Sequence, residues 1–267
     1  MKVPLLLTFI FVLGVGQAAA QASEEVKQSR IGINLGYSFT GYREYTDLSI
    51  NRYLNTFTVI IDGNTHKGNL LHSFNAGFFM GENDAVVSFS LDTIWQDPLE
   101  PGNEYFTYYQ TNHTFIRGYA EYALDHRLWG TPVFPGYLGG SIRSDMYLLQ
   151  TLNNYLFANL TVLLSLNLHI SQKWVIDQDN ILVLALSIPV LGYAIRPNYI
   201  GFILPLESGF ASIHNYRAVF GDVKYHHAIS DLLSFNAGLG FEISHITFPR
   251  PRRDAIFRLS TGVSFSF

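Results

Sequence analysis

Cysteine is absent from the 267 residues, which excludes disulfides, thiolate metal sites, paired-cysteine redox chemistry and cysteine nucleophiles together. Charge is scarce as well: 14% of residues are Asp, Glu, Lys or Arg, against about 25% in an ordinary soluble domain. That shortfall argues against a plain cytosolic enzyme. With 17 basic and 21 acidic residues and a net charge of −4, no basic field exists to hold nucleic acid. A helical membrane span is missing too. The most apolar stretch beyond the N-terminal segment, residues 181–195, is interrupted by Pro189 and falls short of the roughly 20 residues a spanning helix needs. Neither a phosphate-cradling glycine loop, nor zinc-ligand spacing, nor a nucleophile elbow occurs, so no cofactor and no metal is expected. What the chain has in plenty is aromatic surface, with 16 Tyr, 21 Phe and 3 Trp. This rules out disorder, and the length suits one barrel-sized domain.

Residues 1–22, MKVPLLLTFIFVLGVGQAAAQA, carry one Lys, an apolar run from Val3 to Val15, and small residues spaced Ala18-x-Ala20 and Ala20-x-Ala22. This is the layout of a secretory signal cleaved after Ala20 or Ala22. The organisation expected is therefore a signal peptide over 1–22 and one domain over 23–267.

Period two dominates that domain. In residues 155–173 the even positions Leu156, Ala158, Leu160, Val162, Leu164, Leu166, Leu168 and Ile170 are all apolar, while Asn159, Thr161, Ser165, Asn167, His169 and Ser171 lie between them. Similar alternation runs through 31–40, 85–92 and 234–243. Cutting at turn signals gives about twelve strands, near 30–44, 52–62, 67–80, 84–96, 105–125, 133–149, 154–175, 181–196, 199–207, 210–228, 231–247 and 255–267. The segment 199–207, which contains Pro205, is the weakest; losing it and one neighbour would leave ten. Either even number places both chain ends on one side of a membrane.

A soluble sandwich and a membrane barrel both alternate, and composition of the polar face separates them. Here it is mostly Ser, Asn, Thr and Gly rather than Lys, Glu and Arg, which suits a confined lumen. Trp95, Trp129 and Trp174 fall near strand ends, where an interfacial girdle would put them. With no helix to cross the bilayer, only a closed barrel satisfies every backbone polar group there. The expected fold is thus an all-β, closed antiparallel transmembrane β-barrel in a bacterial outer membrane. Parity sends Asp92, Glu121, Asp145, Asp222, Glu242, Arg117, Arg143, Lys173, Lys224 and Arg258 inward. Five acids and five bases favour internal pairing over a ring of one sign, and hence a narrow or occluded interior.

The chain ends Ser260-Thr261-Gly262-Val263-Ser264-Phe265-Ser266-Phe267. Ser260, Gly262, Phe265 and Phe267 resemble the C-terminal β-signal of bacterial outer-membrane β-barrel proteins: a polar residue, a glycine two places on, then alternate aromatics ending on a terminal Phe. The resemblance implies insertion by the outer-membrane assembly machinery after export, among outer-membrane lipids.

Two constellations invite chemistry. His169 and Ser171 resemble the His-x-Ser of outer-membrane acyl hydrolases, which would make the protein a lipid enzyme. But Gln172 stands where those families have Asn, and parity turns both residues inward, away from lipid. The leading expectation is a narrow channel or structural envelope protein without enzymatic activity; acyl hydrolysis is the alternative. His226 and His227, near Asp231 and His245, cannot chelate one metal from adjacent positions on a strand. The one basic cluster, Arg250, Arg252 and Arg253, reads as an exposed loop of the last hairpin that would meet either water or lipopolysaccharide phosphates.

Overall fold

The computed structural model describes residues 29–44, 50–89, 107–131, 133–153, 155–197, 206–248 and 251–267. The segment 1–22, expected to be a signal peptide, and Asp92, Trp95 and Arg250 lie outside them. Among the described residues eleven strands run β1 (Arg30–Glu44), β2 (Ile50–Lys67), β3 (Leu70–Phe89), β4 (Thr107–Trp129), β5 (Gly136–Asn153), β6 (Tyr155–Val175), β7 (Asn180–Pro197), β8 (Leu206–Ser212), β9 (Tyr216–Ala228), β10 (Leu233–Ile246) and β11 (Arg252–Ser266). Each consecutive pair from β1 to β7 is antiparallel; the ring continues β7–β9–β10–β11 and closes where β11 pairs with β1. No helix among the described residues is long and apolar enough to cross a membrane; the strands do so.

The side chains show why closure is needed. In β1, Ile31, Ile33, Leu35, Tyr37 and Phe39 are exposed on the outside, while Asn34, Ser38 and Thr40 are buried within. β6 behaves alike: Leu164, Leu166, Leu168 and Ile170 face out, and Thr161, Ser165, Asn167, His169 and Ser171 face in. A surface so apolar has lipid as its solvent. At the end carrying both termini, where Ser29 and Phe267 exchange backbone hydrogen bonds, connections are short, Gly68-Asn69 being one of them. Short turns mark the periplasmic end of such barrels. In the β6–β7 turn the Asp177 carboxylate accepts hydrogen bonds from the Asn180 side chain and the Asp179 and Asn180 amides, which hold it below the ordinary carboxylate range.

Ten strands form the ring, the smaller of the two even counts, and the difference has local causes. Asp62-Gly63-Asn64 does not turn. Gly63 lies within the sheet opposite Ile31 and Phe74, and the reversal comes at Gly68, with φ of 61°, a conformation glycine adopts without strain. Likewise Gly81 to Asp84 continue β3, paired with Phe115 to Asn112, so the turn expected there is absent and the two segments expected on either side of it join in one strand over Leu70–Phe89. The segment expected at 199–207 lies almost wholly outside the described residues, and the strand expected at 210–228 is split by a turn at 213–215: the short β8 pairs with the upper part of β7, from Leu191 to Pro197, whereas β9 takes the lower part, from Asn180 to Ser187.

Pro189 marks a further irregularity. Asn167 pairs with Pro189 but Leu166 with Leu191, leaving Val190 as an extra residue. A proline cannot donate to a ladder and is tolerated at such a bulge. Val190 and Leu191 both face lipid, so the inward parity moves from Ser187 to Ala194 and Arg196, both buried. Trp129 and Trp174 stand at periplasmic strand ends, Trp129 donating to Gln172 at 2.9 Å and Trp174 packing edge-on against Phe134 at 5.3 Å.

Candidate functional site: the packed lumen

Inward parity on a closed ring forces polar side chains from opposite walls to meet. β4 and β10 are five positions apart in a ring of ten, yet the Arg117 guanidinium donates to Glu242 at 2.5 Å and to Asp145 at 2.5 Å. Arg143, on β5, donates to Asp145 at 2.8 Å, to Glu121 at 3.3 Å and to both Glu242 oxygens at 3.1 Å. Arg258 donates to Asp222 and, at 3.3 Å, to the Tyr119 hydroxyl. Below this layer Lys224 pairs with Asp62.

Aromatic faces complete the layer. The Arg143 guanidinium lies 4.3 Å from the Tyr119 ring centroid and 4.1 Å from that of Phe220. Tyr147 receives Arg117 at 4.6 Å and Arg252 at 4.3 Å. Arg117 Nε and Nη1 have no hydrogen-bond acceptor, and these ring faces are what they meet instead. Leu54, Phe79, Phe115, Tyr119, Tyr147 and Ile256 form an apolar cluster within the barrel. The interior is thus a core, with charges that would be costly if bare made tolerable by multiple pairing. Among the described residues, cavities of about 120 and 80 Å³ lie towards the periplasmic end. The larger has room for a few waters.

Of the residues assigned inward by parity, Arg117, Arg143, Asp145, Glu242 and Arg258 come together in the central layer, with Glu121 and Asp222 at its edge. Lys224 and Lys173 line the cavities below. Parity counting missed Asp62, Asp125, Arg196, Arg252 and Asp254, all turned inward. Asp62 and Arg252 were hidden by apparent turns and Arg196 by the bulge, for which the proline inside an apolar run was the available signal. Arg252 is not in an exposed loop: it lies in β11, buried, with Nε donating to Asp254 at 2.9 Å. Arg253 faces outward.

His169 and Ser171 both point into the lumen. His169 Nδ1 lies 2.7 Å from Asp125 Oδ2, across β5 at Gly139. A Cβ there would sit 2.5 Å from Asp125 Oδ1, so the glycine makes the His–Asp contact sterically possible. The Ser171 hydroxyl has no hydrogen-bond partner; no nucleophile–base bond joins it to His169. His226 meets Asn236 inside the barrel at 2.7 Å, and His227 meets Asn180 on the exposed side at 3.0 Å. No cluster of three potential metal ligands occurs among the described residues.

At the terminal signal, Gly262 packs between Asn34 and Asn236. A Cβ on it would approach the Ile33 carbonyl to 2.0 Å, so this close approach of strands requires glycine. Phe265 and Phe267 are exposed on the outer wall.

No family model and no curated protein matches the chain. Among solved structures, the outer membrane protease OmpT from Escherichia coli superposes with a TM-score of 0.62 at 8% identity, over 92% of this chain and 99% of that one. The translocator domain of the autotransporter NalP from Neisseria meningitidis aligns over 99% of this chain and 95% of its own, at 9% identity and a TM-score of 0.42. What the chain shares with OmpT is the fold, that of a bacterial outer-membrane β-barrel.

Proposed function

We propose that this integral outer-membrane β-barrel is an occluded barrel with a structural role in the envelope, not a diffusion pore. The observation that carries this reading is the Arg117–Glu242 pair, which ties opposite walls together in a layer that Tyr119, Phe220 and Arg143 fill. A solute crossing the barrel would have to break several buried ion pairs at once. The inward direction of His169 and Ser171 weighs against hydrolysis of lipid, since an acyl chain in the bilayer meets only the outer face.

Conductance across a planar bilayer tests the proposal. The purified protein is expected to give no stable open-channel current. A reproducible ohmic step from the unaltered chain would overturn the occluded reading.

Assembly is the second expected property, through recognition of β11 by the outer-membrane machinery. Phe267→Ala should lower the amount of folded protein in outer-membrane fractions several-fold while leaving export to the periplasm unchanged. Equal membrane levels would show that the terminal aromatic is not read.

A further inference from the structure

A groove of about 810 Å³ runs along the outer wall across β7, β9, β10, β11 and β1, in the half of the barrel away from the termini. Its origin is legible in the register. Val219, Ile243, Ala255 and Gly41 occupy one row across β9, β10, β11 and β1. The row below it holds Phe241, Phe257 and Phe39, so two small residues sit beside bulky ones and leave a depression. On the β7 side the groove deepens because the ladder breaks: Ser187–Phe220 is the last pair of β7 with β9, and β7 next pairs with β8 at Leu191–Ser212. Ile188, Pro189 and Ile213 line that gap.

The row above the small residues is basic. His245 is opposite Arg217 on one side and Arg253 on the other, and all three line the groove. The Arg217 guanidinium is held over the groove by a 3.3 Å hydrogen bond to the Ile213 carbonyl. Among the described residues that line the groove the acid is Asp254, which belongs to the inward set and is paired with Arg252. The height of this row follows from β11. From Phe265 to Ala255 the outward positions carry no charge, and ten residues at about 3.3 Å each, tilted by about 40°, rise about 25 Å, the height of the apolar band in such barrels. Arg217, His245 and Arg253 therefore stand at the level of the outer-leaflet head groups.

We infer that this groove is a binding site for a phosphorylated, multiply acylated glycolipid of the outer leaflet, that is, for lipopolysaccharide. Its acyl chains would lie over Val219, Ile243, Ala255 and the Ile188–Pro189 wall, and a phosphate would bridge Arg217 and Arg253, whose forked donors match phosphate oxygens. What separates this occupant from an ordinary phospholipid is place and charge: the basic row stands at the outer-leaflet head groups, and a glycolipid bearing more than one phosphate can meet Arg217 and Arg253 together. The inference rests on outer-membrane residence and not on whether the lumen conducts.

Native mass spectrometry of the detergent-purified protein, titrated with lipopolysaccharide lipid anchor, tests this. Stoichiometric binding is expected, falling at least tenfold for the dephosphorylated anchor and for the double variant R217Q/R253Q. Ala255→Trp, which fills the groove and leaves the charges, should weaken binding similarly. Heat-dependent gel mobility verifies that each variant is folded, and a variant that fails to fold is replaced by the corresponding single substitution. Equal affinity of the unaltered chain and the folded R217Q/R253Q variant, or equal affinity for phosphatidylglycerol, would overturn the site.

Discussion

Arg143→Ala is expected to destabilise the barrel by about 3–5 kcal/mol, the usual cost of removing one member of a buried charge cluster. The reason is the company Arg143 keeps: Asp145, Glu242 and Glu121 all accept from it, and its truncation leaves three acids facing one another around Arg117 and Arg258. Arg143→Lys should fall between the two, because an ammonium keeps the charge but cannot span Asp145 and Glu242 as a fork does. Urea unfolding of the protein reconstituted in vesicles, followed by tryptophan fluorescence, measures both. An alanine variant as stable as the parent would mean that water replaces the guanidinium, and that the layer is wetter than its packing indicates.

Leu166→Arg should cost about 2–4 kcal/mol, the range for a cation near the midplane of a lipid-facing strand. Leu166 faces outward between Ile142 and Leu191, which are also outward and exposed, so no neighbouring acid can receive the charge. The same vesicle unfolding measures it, with Leu166→Phe as the partner variant expected to stay within about 1 kcal/mol. The contrast is informative about direction. If Leu166 pointed inward, Phe would clash in the packed lumen and Arg would find carboxylates, reversing the order.

The two positions differ in how they could be known from the sequence. Leu166 was legible because eight apolar residues alternate without exception from Leu156 to Ile170, and period two on a strand assigns faces with no knowledge of its partners. The same logic places Arg117, Arg143, Asp145 and Glu242 inward. It breaks where backbone geometry breaks: beyond Pro189 the bulge shifts parity by one and brings Arg196 in, and apparent turns at Asp62 and Arg252 concealed two more inward charges. Gly63 and Gly81 read as turns because glycine is common there, but turn propensity is a local signal, and long-range pairing overrode it.

Composition and alternation by themselves determined that this chain is a barrel that meets lipid on its outside, because a charge-poor period-two sequence has no other way to satisfy its backbone in a bilayer. They could not decide what fills the inside. Arg117 and Glu242 lie 125 residues apart in the chain, and nothing local to either names the other. Only closure of ten strands sets the diameter, and the diameter decides whether opposite walls touch. The groove at Ala255 and Gly41 has the same character: two small residues on adjacent strands become one depression, and Arg217, His245 and Arg253 one basic row, only when the register aligns them.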